Sequence, residues 1–158
     1  MTLSHVDAEG RARMVDVGGK PVTERRATAE GTIAMSAEAY HKVERNSGPK
    51  GDVLSTAELA GTMAAKRTGD LIPLCHPIGL DHIEVHARLD PDLPGVQVRA
   101  TARATGRTGV EMEALTAVSV ALLTVYDMVK AAGHDLRIGD VVLVEKSGGT
   151  SGNWQRSL

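Results

Sequence analysis

Thr108-Gly-Val-Glu-Met-Glu-Ala-Leu-Thr-Ala-Val-Ser-Val-Ala-Leu-Leu-Thr-Val-Tyr-Asp-Met-Val-Lys130 decides how the chain folds. At ~100° per residue, Leu115, Val118, Leu122, Val125 and Val129 fall on one face, widened by Ala114, Ala121 and Met128. The spacing predicts one long helix with that face in the core. Thr108 is expected as N-cap with Glu111 completing a capping box, and Gly133 as the C′ stop. The opposite stripe, Glu113, Thr116, Val120, Thr124, Asp127 and Lys130, is small and uncharged in its middle and charged at its ends. Such a stripe suits close approach by another chain or a ligand.

Outward from this helix, alternation predicts a hairpin before it, His82–Asp90 and Val96–Thr105 joined across Pro91–Gly95, and a strand after it, Ile138–Glu145. The continuous run Val141–Val144 points to a central, doubly covered position for that last strand. Nearer the start, Arg13–Val17 reads as a short strand and Thr23–Met35 as a longer one. Ala27, Ala29, Ile33 and Met35 share one parity of the longer strand, and Arg25 falls on the same line. An Arg on an apolar parity either snorkels at the strand end or points into a pocket. Ser36 caps a helix through Arg45, broken by Asn46–Pro49. Ser55 and Glu58 read as a second capping box, opening a helix to about Thr68 with Leu59 and Met63 as apolar anchors and Gly69 as its end. Residues 1–12 and the Gly-rich 147–158 are expected to be flexible parts of a single domain spanning 1–158. Strands, helices, hairpin, helix and strand in this order predict an α+β, ferredoxin-like fold, with helices packed on one face of a mostly antiparallel sheet.

Bulk properties narrow the function. A chain of 158 residues with 42% hydrophobic and 24% charged content has enough apolar mass for one core. It lacks Phe and has one Trp and two Tyr, which argues against a base-stacking nucleic-acid platform. A net charge of -2 supplies no global field for nucleic acid or an anionic membrane. The single Cys fits a reducing compartment. The first ten residues lack a signal-peptide apolar core, and no run of about 18 apolar residues is present, so neither export nor a membrane span is expected. The chain reads as cytoplasmic.

Several residues can carry chemistry. Lys50 stands just before a helix start, where an ammonium beside free amides can hold phosphate. Cys75-His76 lies between Pro73 and Pro77, which restrict the backbone and so fix where His76 points. Cys75 has no evident base partner in the sequence. His82, Glu84 and His86 share a strand face, either as a metal site or, more simply, as the solvated side of the hairpin. Asp127 and Lys130, three apart on one helix face, can pair, and in a covered groove such a pair transfers protons. Glu113 and Asp127 are roughly 21 Å apart along the helix. One copy of the helix therefore cannot bring both to one reacting atom, and a site using both is extended or built from two chains. Lys146 and the glycines after it make a weak phosphate cradle.

Taken together, Met14–Val17, Lys50–Val53, Ala64–Arg67, Asp70-Leu-Ile-Pro-Leu-Cys-His-Pro77, Thr105-Gly-Arg-Thr-Gly-Val-Glu-Met-Glu-Ala-Leu-Thr116, Tyr126–Lys130 and Lys146–Gly149 resemble the molybdenum cofactor biosynthesis protein C family, the cyclic pyranopterin monophosphate synthases. The similarity runs nearly end to end, and its long motifs are specific. Thr150 departs from it, standing where family members carry Lys.

The resemblance implies a ferredoxin-like fold and a homohexamer, a trimer of dimers with interfacial sites. It also implies conversion of a cyclised dihydro-GTP derivative, (8S)-3',8-cyclo-7,8-dihydroguanosine 5'-triphosphate, to cyclic pyranopterin monophosphate with release of pyrophosphate. Carried over residue by residue, Asp127, Lys130 and Lys50 become the acid–base group. Leu74, Cys75, His76, Met112 and Glu113 become substrate contacts, with Glu111, Arg25, Lys66 and Lys146 in matching positions of less defined role. No cofactor or resident metal is expected, Mg2+ accompanying the triphosphate or pyrophosphate being the one ion admitted. Two other classes stay open: a binding module without turnover, and a metal hydrolase built on His82, Glu84 and His86.

Overall fold

Three long alternating stretches become three long strands at the centre of one sheet in the computed structural model, which describes residues 4–157. The elements run β1 (Thr23–Ala34), α1 (Ala37–Glu44), α2 (Val53–Ala65), α3 (Thr68–Leu71), β2 (His82–Asp90), β3 (Gly95–Gly106), α4 (Glu111–Val129), a 3-10 turn (Lys130–Ala132), β4 (Arg137–Ser147) and β5 (Trp154–Gln155). The strand order is β2-β3-β1-β4-β5, every pairing antiparallel. With β5 set aside, this is the βαββαβ, ferredoxin-like α+β arrangement expected from the sequence.

The parity of β1 settles the layers. Ala27, Ala29 and Ile33 are fully buried on the face that meets α4, joined by Val96, Val98, Ala100, Ala102 and Ala104 of β3. α4 answers with Ala114, Ala117, Val118, Ala121, Leu122 and Val125, all buried. Alanines on both sides of this contact let the helix lie close to the sheet. The 22 residues Glu111–Ala132, with mean hydropathy 1.5, are long and apolar enough to cross a membrane by composition, but half of that apolar stretch is buried inside this fold. Core packing accounts for its character.

Several local expectations are corrected. The capping box on Thr108 does not form: α4 begins after Val110 with no side-chain cap, because the Glu111 carboxylate is drawn instead to Lys146 at 2.9 Å. α2 is capped by Asp52, which accepts from Ser55 N at 3.0 Å, so Ser55 sits inside the helix and its amide is not among those free for an anion beside Lys50. α2 ends at Ala65, and Gly69 lies within α3. Leu59 and Met63 are not anchors but 62% and 50% exposed. α2 packs through Ala57, Gly61, Ala64 and Ala65, since a Cβ on Gly61 would lie 2.8 Å from the Ala117 carbonyl and only small residues fit so close a crossing. Arg13–Val17 forms no strand; that region holds only a bridge from Val6 to Ala12. β4 is half-buried except at the exposed Arg137 and Asp140, since the sheet is covered on one face and only two residues of β5 flank it outward. Beyond β4 the tail turns back on the sheet, pairing Trp154 with Lys146 and Gln155 with Glu145.

Candidate active site

Two groups of candidate residues form at opposite ends of α4. At its N-terminal end, Ile72 O accepts from Cys75 N at 3.1 Å across a turn with Pro73 in second position, so the prolines set Leu74, Cys75 and His76 in fixed places. These three line a 630 Å³ cavity with Ile78, Glu111 and Met112. Behind it lies Glu113, 2% exposed, its Oε1 4.0 Å from Cys75 Sγ. Glu113 Oε2 has no hydrogen-bond partner among the described residues. Desolvation, aided by the charge of Glu111, pushes the Glu113 carboxyl up to about 7, so a large share of it stays protonated near neutrality. Burial, then the charges of Glu113 and Glu111, push the Cys75 thiol up as well. The thiol therefore favours its protonated form, turned toward Glu113 Oε1.

Thr108, Gly109 and Glu111 form the wall between this cavity and a second one of 200 Å³. The second cavity is cationic: Lys20, Arg25, Arg26, Arg107 and Lys146 line it, with Glu111 as the carboxylate among them. Arg25 does point into a pocket, as one reading of its parity allowed. Its Nε donates to Gly106 O at 3.4 Å and its Nη2 to Arg107 O at 3.3 Å. A Cβ on Gly149 would overlap the Arg25 guanidinium, and Gly148 and Gly149 both sit at positive φ, 94° and 75°. The glycines of the tail are what let it close over Arg25.

At the other end of α4, Asp127 is held between two ammonium groups. Lys50 Nζ donates to Oδ2 at 2.5 Å and to the Asp127 carbonyl at 3.2 Å; Lys130 Nζ meets Oδ1 at 2.7 Å. Hydrogen bonds first from Lys130 and then from Lys50 hold the Asp127 carboxyl down to about 2. The same bond raises Lys130, keeping it an ammonium. All three side chains are about half exposed in this chain.

The fold thus gathers Leu74, Cys75, His76, Met112, Glu111, Glu113, Arg25 and Lys146 at one end, and Lys50, Asp127 and Lys130 at the other. Lys66 is exposed at the end of α2 and makes no ion pair among the described residues. His86 Nε2 lies 2.8 Å from Glu84 Oε1 on the exposed sheet face, where no three metal-ligating side chains converge among the described residues. The sequence reading missed Lys20, Arg26 and Arg107. Arg107 stood inside a quoted motif, between Gly106 and Gly109, and a cation flanked by turn residues at a helix start was the available signal.

A family model described as the MoaC family matches residues 14–149. Among curated relatives, the cyclic pyranopterin monophosphate synthase of Brucella ovis is 56% identical over 152 residues, 96% of this chain and 92% of that protein. That of Roseiflexus sp. is 57% identical, covering 96% of both chains, and that of Brucella canis is 55% identical.

Proposed function

This chain belongs to the MoaC family, and from that premise we infer that it makes cyclic pyranopterin monophosphate, as a lyase of molybdenum cofactor biosynthesis. The substrate is the small cyclised triphosphate derived from GTP, and pyrophosphate leaves. The observation that carries this reading is Asp127 clasped between Lys50 and Lys130. Opening and reclosing a purine-derived ring takes several proton transfers. A carboxylate fixed between two ammonium groups supplies the acids and keeps the conjugate base positioned once a proton is given up. With Lys130 raised, its first act is donation. Lys50 both protonates and contacts phosphate.

Expelling pyrophosphate develops negative charge, which Arg25 and Lys146 meet in the cationic cavity, while His76 faces the neighbouring 630 Å³ cavity. Leu74, Met112 and Cys75 bound the volume for the ring system, and the neutral Glu113 carboxyl behind them can give a proton to a ring nitrogen. Lys66 remains a candidate contact from the surface.

The two groups lie at opposite ends of one helix, so a complete site takes its acid–base group from one subunit and its cavities from another. Leu59, Met63 and Leu123, 62%, 50% and 57% exposed, give the helix layer an apolar outer surface suited to such a contact. The assembly proposed is the homohexamer, a trimer of dimers, working in the cytoplasm without nucleic acid or membrane. No cofactor is required in this scheme; Mg2+ accompanying the phosphates is the only ion it admits, and turnover after exhaustive chelation tests that.

The deciding experiment incubates the protein with the cyclised nucleotide, following pyrophosphate release and the fluorescent pterin formed on oxidation. Absence of both would overturn the reading. Mixing two inactive variants, Lys130→Ala and His76→Ala, tests the shared site. Recovered turnover is expected, because some interfaces then contain neither lesion.

A further inference from the structure

We propose that residues 147–156 form a strap whose latch, Arg156 drawn back onto Trp154 and β4, confines the Arg25 guanidinium to the cationic cavity. Arg156 is thus a positioning residue that acts on Arg25 through the tail. The inference rests on the reaction proposed above only for what Arg25 then grips.

Arg25 is not fixed by its own hydrogen bonds. Its two acceptors, Gly106 O and Arg107 O, lie at 3.4 and 3.3 Å, beyond the ordinary range for such bonds. What confines it is the backbone of the tail. A side chain on Gly149 would fall on Arg25 Nη1, and one on Gly148 would fall on Glu24 O. Gly152 follows at a positive φ of 67°, its amide closing a turn on Gly149 O at 3.3 Å, so the crossing over Arg25 is a shaped one.

The crossing needs something to hold it down. Strap and sheet share a 350 Å³ hollow lined by Arg26, Glu145, Asn153 and Trp154, so no packed core binds one to the other there. β5 contributes a ladder of two residues, too little to offset the entropy of ordering the loop 147–153. Arg156 adds three contacts directly beyond that ladder. Its N donates to Val144 O at 2.8 Å, its Nε donates to Leu143 O at 2.8 Å, and its guanidinium stands 5.8 Å from the centre of the Trp154 ring. All three require the tail to lie against β4, so they form and break with it.

The strand that receives the latch is braced on both faces. Lys146 is tied to Glu111 at 2.9 Å on the helix side. On the open side Glu145 meets Arg26 at 3.2 Å and accepts from Thr28 at 3.1 Å, and Thr28, fully buried, is bonded to Thr101 at 3.0 Å. The moving part is therefore the strap and not the ledge beneath it. A guanidinium kept in one place can offer two donors to a phosphate at once, whereas a swinging one loses that advantage.

Calorimetry with inorganic pyrophosphate on the full-length protein, read beside acrylamide quenching of Trp154, the sole tryptophan, tests the strap without turnover. Arg156→Ala is expected to raise the quenching constant about twofold, as for a tail no longer tied down. It should weaken pyrophosphate binding about tenfold, with circular dichroism as for the parent. Arg156→Lys, which keeps a cation over the indole, should recover part of both losses. Arg25→Ala should weaken pyrophosphate to a similar degree, and adding Arg156→Ala to it should cost nothing more, as for two residues acting on one contact. On the cyclised nucleotide, Arg156→Ala should raise KM with kcat within about threefold. Unchanged quenching in Arg156→Ala, or losses that simply add in the double variant, overturns the strap and leaves the reaction intact. Absence of pyrophosphate binding in the parent overturns it too. A coupled Arg25–Arg156 pair in a protein that releases no pyrophosphate from the nucleotide would instead uphold the strap and sink the reaction.

Discussion

Glu113 in the first turn of α4 and Asp127 in its last belong to the same helix and the same residue class, yet their protons are governed in opposite ways. Glu113 is buried, with one oxygen unpartnered, and is pushed up to about 7. Asp127 is half exposed, bound by two lysines, and is held down to about 2. Desolvation rules one end and charge-assisted hydrogen bonding the other. The lesson is that a single secondary-structure element can offer a neutral acid and a permanent anion at the same pH, which is how acid and base roles are commonly divided.

The largest effect should come from breaking the anionic end. Lys130→Ala is expected to lower turnover by about a thousandfold or more, within the span attributed to positioned acids and bases, while the cyclised nucleotide still binds. Single-turnover pyrophosphate release reads this directly. Near-normal turnover would remove Lys130 from the chemistry.

Breaking the buried end should show first in stability. The Glu113 carboxyl stands at 4.5 when unfolded and about 7 when folded, so the native state holds the extra proton. Its contribution is complete below pH 4.5 and is lost as pH rises through about 7, in total ~3 kcal/mol. Glu113→Gln, neutral at every pH, should flatten this slope and be more stable than the parent at pH 8, as urea unfolding at pH 5 and 8 would reveal. An equal slope in parent and variant would mean that Glu113 is charged in the folded protein.

For Asp127 the sign reverses. Its native carboxyl is depressed from 3.8 to about 2, so its stabilising contribution is present above pH 3.8 and fades only as pH falls through about 2. Carboxyl resonances followed by NMR should titrate near pH 7 for Glu113 and near pH 2 for Asp127. The smallest change sharpens the comparison without breaking it: in Cys75→Ser a hydroxyl replaces the distant thiol donor at 4.0 Å. Its shorter C–O bond leaves the hydroxyl beyond hydrogen-bond reach of the carboxylate, so the Glu113 midpoint should stay near that of the parent in the same titration.

What the sequence made legible was whatever depends on period. Thr23–Ala34, the hairpin and the long helix announce themselves because alternation and the 3.6-residue repeat leave no second reading. The Asp127–Lys130 pair follows from helical spacing alone, and the conflict in placing Arg25 on an apolar line pointed to the pocket it enters. Contacts between distant segments stayed hidden. Glu111 was assigned to a cap because nothing local reveals that Lys146, 35 residues on, would claim its carboxylate. Glu113 was placed on the open stripe because helical phase does not show that the Ile72–Cys75 turn folds over it. Leu59 and Met63 were assigned to the core by their chemistry, and the structure instead chose the small residues beside them, a decision made by how close α4 lies.

The alanine-lined seam between α4 and the sheet carries one last consequence. Alanine has no rotamers to exchange, so where alanines meet along this contact side-chain rearrangement gives little slack, and the helix behaves as a ruler about 28 Å long held along its length. Inserting a single residue at its midpoint would swing one tip through ~100° against the other. Such a change would leave every functional side chain present and still set the two half-sites out of phase.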